Sequence, residues 1–166
     1  MANLINDITG YIEELCRKHA VIKHTDTETH FVNLATGAMA QKSRTQIFYP
    51  VVTLEKLENS YAGQEDSYRK KRTIELMFLD KVSDSGDFAR MNAVWEEMEW
   101  VAEDFLRRIR LDRRDRTGYS FLKSLKINSA QGYYVENVAA YLWGYMLTFD
   151  ADMPFLDCIQ PGRFTD

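Results

Sequence analysis

Ten apolar residues between Phe88 and Ile109 constrain this chain more than any other feature. Phe88, Met91, Val94, Trp95, Met98, Val101, Ala102, Phe105, Leu106 and Ile109 follow one another at intervals of 3, 3, 1, 3, 3, 1, 3, 1 and 3. That rhythm keeps one stripe of a 3.6-residue helix turned to a core and predicts an amphipathic helix over residues 87–111. Ser85 or Asp84 is the expected N-cap. Glu96, Glu97 and Glu99 stand early and Arg107, Arg108 and Arg110 late, as the helix dipole favours. Glu103–Arg107 and Asp104–Arg108 are spaced as (i, i+4) pairs.

Strand patterns flank this helix on both sides. Residues 47–57 alternate, with Val52 and Leu54 on one face and Val51, Thr53, Glu55 and Leu57 on the other. Residues 58–69 read as a polar loop. Residues 71–82 alternate again, Ile74, Leu76 and Phe78 against Thr73, Glu75, Met77 and Leu79. After the helix, residues 112–118 form a charged linker, and residues 121–125 are a helical turn or the start of a strand. Residues 125–127 and 133–135 have strand character, with a turn signal across 128–132. Residues 140–149 place Tyr141, Trp143, Tyr145, Leu147 and Phe149 on one face and Leu142 and Met146 on the other. Apolar residues on both faces mark a central or covered strand.

The chain opens with a helix over residues 4–18, whose face is Leu4, Ile5, Ile8, Tyr11, Ile12, Leu15 and Cys16. Gly10 weakens it by about 1 kcal/mol relative to alanine and suggests close packing there. Residues 20–46 are irregular, with a short helix over 34–41. The expected fold is therefore α+β. A mainly antiparallel sheet of four strands, or slightly more, is packed by the N-terminal helix and the long central one. Residues 1–155 form a single domain and 156–166 an extended tail.

Composition narrows the function classes. At 166 residues, 45% apolar and 28% charged, the chain has ordinary globular composition. No apolar run reaches the ~18 residues of a membrane span, and no basic region precedes an apolar stretch at the start. A net charge of −4 argues against a dedicated nucleic-acid binder. Cys16 reads as a small core residue, and Cys16 and Cys158 as free thiols.

No motif carries chemistry. His19, His24 and His30 match neither a zinc-finger nor an HExxH spacing and read as surface or capping residues. No nucleophile elbow or phosphate-binding glycine loop occurs. Glu96, Glu97, Glu99, Glu103 and Asp104 read as a solvated helix face rather than an acid/base cluster. Glu55 and Glu75 are placed to face each other across the first strand pair, and strand carboxylates of this kind ordinarily face solvent. The run Arg69, Lys70, Lys71, Arg72 is the one concentrated basic patch. It blunts a strand edge at a loop base, or it meets an acidic neighbour or DNA. The aromatic ladder Tyr133, Tyr134, Tyr141, Trp143, Tyr145 and Phe149 lacks the interleaved basic residues of a base-stacking platform. It reads as core or subunit interface.

Several local patterns carry a family likeness. They are Phe48-Tyr49-Pro50-Val51-Val52-Thr53-Leu54-Glu55, then Lys70-Lys71-Arg72-Thr73 before Ile74-Glu75-Leu76-Met77-Phe78-Leu79-Asp80. Trp95-Glu96-Glu97-Met98-Glu99 and Trp143-Gly144-Tyr145-Met146-Leu147-Thr148-Phe149 complete the set. With the element order, they resemble the tail-terminator and related neck-ring proteins of tailed bacteriophages, from phages and prophages of Bacteroidetes-type hosts. The resemblance runs from about Leu4 to Phe155. It implies a structural virion protein in the neck or tail, made in the host cytoplasm, with no enzymatic activity, cofactor or metal and no membrane. It implies a homo-oligomeric ring, hexameric by preference and twelvefold near the portal. Such a ring adjoins tail-tube or connector proteins, and DNA passes through it without sequence-specific binding. Tyr61, Arg69, Lys70, Lys71, Arg72, Tyr141, Trp143 and Tyr145 are the candidate subunit-interface residues. A second reading of the same features is a small protein-binding or inhibitor module with a one-to-one partner.

Overall fold

The apolar stripe of the central helix rests on one face of a six-stranded sheet. The computed structural model describes residues 4–33, 47–55, 58–63, 69–84, 86–115, 119–138 and 141–154. Helix α1 (Leu4–Lys18) leads to strands β1 (Thr29–Val32), β2 (Ile47–Leu54), β3 (Glu58–Ala62) and β4 (Arg69–Lys81). Helix α2 (Phe88–Asp115), a 3-10 turn (Ser120–Ser124), β5 (Leu125–Val138) and β6 (Leu142–Pro154) complete the order. The sheet runs β1-β2-β4-β6-β5, and β3 pairs with β4. β1 and β2 are parallel, and the other described pairs are antiparallel. The fold is α+β.

Strand alternation decides what meets the helices. Val52 and Leu54, then Ile74, Leu76 and Phe78, then Leu147, Phe149 and Ala151 share one core with both helices. α1 contributes Ile8, Ile12, Leu15 and Cys16, and α2 contributes Met91, Val94, Met98, Val101, Phe105 and Ile109. Phe78 and Phe105 lock helix to sheet edge-to-face, 5.0 Å between ring centres, a geometry worth about 0.5–1.5 kcal/mol beyond area burial. On the opposite face Val32, Ile47, Val51, Leu79 and Leu142 form a smaller cluster, flanked by Met77 and Val135. β6 lies between β4 and β5 and feeds both clusters, as a central strand does.

Among the described residues the sheet has six strands where four or slightly more were expected, because two strands leave little periodic signal. β1 has four residues, too few to show a period. β3 lies inside the stretch expected to be a polar loop; all five of its residues are exposed, so neither face is apolar. β2 ends at Leu54 instead of continuing to Leu57, and β4 begins at Arg69 rather than Lys71. The turn expected across 128–132 is absorbed into one continuous β5, where the register with β6 shifts between Lys126 and Gln131. β6 begins at Leu142, so Tyr141 precedes it, with φ at 77°. The strand also continues to Pro154, beyond the end expected at Phe149.

α2 is longer than its apolar stripe. It continues through Asp115 and takes in residues expected to be a linker. Asp87 caps it, its Oδ1 accepting from Arg90 N at 2.9 Å; Asp84 instead accepts from Gly86 N, and Ser85 lies outside the described residues. Phe88, counted into the stripe, is 72% exposed. Glu103 pairs with Arg107 as expected, but Asp104 also pairs with Arg107, leaving Arg108 to Asp112. Among the described residues no neighbour lies within 4 Å of a Cβ at Gly10, so Gly10→Ala is expected to stabilise by up to about 1 kcal/mol in a denaturant titration. The helix expected over 34–41, Cys158 and the tail over 156–166 lie outside the described residues.

Candidate interaction surface

The aromatic residues at the β5–β6 end divide into a packed set and an exposed one. Trp95 of α2 meets Trp143 at 5.6 Å and Tyr134 at 5.7 Å, and Tyr134 meets Tyr145 at 5.4 Å. Trp95 Nε1 donates to Val135 O at 3.2 Å, and Tyr134 Oη donates to Glu99 Oε2 at 2.6 Å. The bond to Glu99 raises the Tyr134 phenol, while burial, then Glu99 and Glu103, raises that of Tyr145. Both therefore stay neutral at ordinary pH. The Tyr145 hydroxyl lies across Gly132, where a Cβ would come within 1.8 Å of it. Trp143 and Tyr145, expected at a subunit interface, are thus half-buried in a helix–sheet cluster. Tyr133, Tyr134 and Tyr141 are 46%, 55% and 48% exposed.

The basic run is strand rather than loop base. Its four residues open β4 between β3 and β6. Arg69 pairs with Asp152 at 2.8 Å, and Lys71 with Asp150 at 3.0 Å. Arg72 is buried and donates Nε to Asn59 Oδ1 at 2.8 Å, and burial lowers its guanidinium pKa. Lys70 stands 5.4 Å from the Tyr61 ring centre. With Lys126, Arg69 and Lys71 line a cleft of about 410 Å³ that also holds Asp150 and Asp152. Alternating Asp150 and Asp152 at the end of β6 supply the counter-charges, a spacing visible in the sequence. Tyr61 and the run therefore form one group, remote from Tyr141, Trp143 and Tyr145. Arg72 lies opposite Ala151 and Phe78 opposite Tyr145, six positions further along β4, about 20 Å away.

His24 and His30 are buried rather than on the surface. His24 Nδ1 accepts from His30 N at 3.0 Å, and His30 Nδ1 donates to Pro50 O at 2.7 Å; together they tie the entry of β1 to β2. His19 does cap: its Nδ1 accepts from Val21 N at 3.2 Å where α1 ends. Burial lowers the His19 pKa below its ordinary 6.5, against the opposing pull of Asp104. Its contribution to stability is present above the ordinary value and is lost as pH falls through the lowered one. A His19→Gln variant is therefore expected to lose less stability than the parent between pH 7 and pH 5 in parallel urea titrations. Cys16 is fully buried, as expected of a core thiol, and burial raises its pKa.

Glu55 and Glu75 are neighbours, Glu55 N donating to Glu75 O at 2.9 Å. Glu55 is buried rather than solvent-facing and accepts from Thr53 Oγ1 at 2.8 Å. Burial first, then Glu58 and Glu55, raises the Glu75 carboxyl. Its ionisation thus opposes folding once pH rises through the raised value. Glu75→Gln is expected to stabilise at pH 7, by less than about 1 kcal/mol because the group is only partly buried. The gain should shrink toward pH 4, as Glu75 takes up its proton; a gain unchanged at pH 4 would contradict this.

Among the described residues, no helix is long and apolar enough to cross a membrane. Neither a protein-family model nor a curated protein sequence matches this chain.

Proposed function

We propose that this chain is a structural ring subunit of a bacteriophage neck or tail, a tail terminator or head-tail connector without catalytic activity. One observation carries the reading. Gln131, Gly132, Tyr133 and Tyr134 form an exposed, uncharged, tyrosine-bearing run on the outermost strand of the sheet. Such a run suits a protein partner, since tyrosine combines apolar area with a polar tip at low entropic cost. The internal pairing of Arg69 and Lys71, together with a net charge of −4, suits a lumen through which DNA moves without being held. The partners on this reading are further copies of the chain in a six- or twelvefold ring, and tail-tube or connector proteins above and below it. The protein is made in the host cytoplasm and resides in the virion.

Native mass spectrometry across a concentration series tests this. A discrete six- or twelvefold species is the expected result. A monomer at every concentration would overturn the ring and favour a one-to-one binding module using the same exposed run.

A further inference from the structure

The ring reading leaves open which surfaces meet, and the two sides of the sheet suggest an answer. β5 pairs only with β6 among the described residues, which leaves its outer side as a sheet edge. Its register with β6 shifts between Lys126 and Gln131 and again between Val135 and Val138. Between those breaks, Gln131 to Val135 pair with Thr148 to Gly144 without interruption. Sheet edges are ordinarily guarded by lysine, proline or bulges. This run contains no charge and no proline, and its bulges lie at its ends.

The other side of the sheet offers a counterpart. β3 pairs with β4 alone among the described residues, and all five of its residues are exposed. β1 also lies on that side, but three of its four residues are buried. β3 is therefore the more accessible strand. Direction is the deciding point. β3 and β6 both run against β4, and β5 runs against β6. β5 therefore points along β4, and β3 points the opposite way. Two copies in the same orientation bring β5 of one against β3 of the next as an antiparallel pair, with neither copy inverted.

We propose that neighbouring copies join head to tail by pairing the Gln131–Val135 run of β5 with β3 (Glu58–Ala62), extending the sheet from subunit to subunit. The inference rests on the ring reading and names its contact. The contact uses two different surfaces and closes by rotation, as a heterologous ring requires. Main-chain hydrogen bonds supply the attachment, as in other strand-addition interfaces. β3 lies against Arg69–Thr73 of β4, whereas the β5 run is level with Glu75–Leu79. The strands are accordingly inclined to the ring axis, as in closed sheets generally.

Variants with one introduced cysteine, in a Cys158→Ser background whose remaining native thiol, Cys16, is buried, test the pairing. Tyr133→Cys protein is mixed with Ser60→Cys protein and mildly oxidised; Glu58→Cys and Ala62→Cys partners cover register shifts of two residues on the same face. A disulfide forms only where Cα atoms come within about 4.4–6.8 Å. The expected result is a cross-linked dimer in at least one mixture and none from Tyr133→Cys alone. A dimer from Tyr133→Cys alone means two β5 strands pair about a two-fold axis, which overturns the proposal. In parallel, Tyr133→Lys is expected to raise the concentration at half-assembly at least tenfold, with an unchanged far-ultraviolet circular dichroism spectrum showing that it folds. Discrete rings that neither cross-link nor respond to Tyr133→Lys defeat this contact but leave the ring standing. Monomers at every concentration defeat both.

Discussion

Replacing Gly144 with alanine is expected to unfold the protein or leave it insoluble, a loss of about 4 kcal/mol or more. Gly144 is a buried position on β6, between Leu79 of β4 and Val135 of β5. A Cβ there would lie 1.9 Å from Phe78 O, 2.9 Å from Phe78 C and 3.0 Å from Leu79 Cα. These are backbone atoms in the middle of the sheet, so relief requires β4 and β6 to separate. Separation would strain the ladder from Arg69 to Lys81 and the core beneath Phe78. Losses of this size belong to the overpacked extreme of single substitutions and consume much of a typical domain's 5–15 kcal/mol. Gly132→Ala is the internal comparison. Its new methyl would meet the Tyr145 side chain rather than backbone, and that ring can turn aside, so a cost of about 1–2 kcal/mol is expected. Soluble expression and urea midpoints of the two variants check the contrast. Equal losses would mean that β4 and β6 give way more easily than their pairing implies.

The two glycines also show what sequence reasoning can reach. Gly144 sits in the run Trp143-Gly144-Tyr145, whose strand character is plain from its neighbours, but no pattern along the chain says that Phe78 O fills the space of its missing side chain. Periodicity reports which residues share a face, and it succeeds where a face is buried. Ile74, Leu76 and Phe78, the stripe from Met91 to Ile109, and the α1 face around Ile12 all lie in the main core. It is silent where both faces are wet, so β3 passes for a loop. It also misleads where a polar residue is buried, as at Glu55, His24, His30 and Arg72. The two histidines bond to backbone atoms, His24 to His30 N and His30 to Pro50 O, and Arg72 bonds to Asn59, on another strand. The candidate surface was legible only in part. Its aromatic composition could be read directly, but which rings α2 would cover depended on where Trp95 met β5 and β6. Trp143 and Tyr145 went under the helix, and Tyr133 stayed outside.

Asp112→Ala is the second substitution with a large expected effect, about 2–4 kcal/mol. The residue stands in a stretch of alternating charges that reads as solvated linker, yet it is 7% exposed. Its Oδ2 accepts from Tyr11 Oη at 2.8 Å and from Arg108 Nε at 3.1 Å, and its Oδ1 pairs with Arg108 Nη2 at 2.8 Å. One carboxylate thereby joins the last turns of α2 to the middle of α1. Burial first, then Asp112, raises the Tyr11 phenol beyond the ordinary pH range, so the ring stays a neutral donor. Removing the carboxylate leaves the Tyr11 hydroxyl, on a residue only 3% exposed, without its acceptor, at a cost of about 1–3 kcal/mol. The cost of breaking the ion pair is smaller than for a fully buried one, because the Arg108 side chain is 60% exposed and can return to water. Tyr11→Phe removes donor and hydroxyl together and should cost only about 1 kcal/mol. The double variant should then be less destabilised than the sum of the two, with a coupling of about 0.5–3 kcal/mol. Additive losses would mean that Asp112 acts through Arg108 alone and that α1 is held to α2 by its apolar face without the Tyr11 bond.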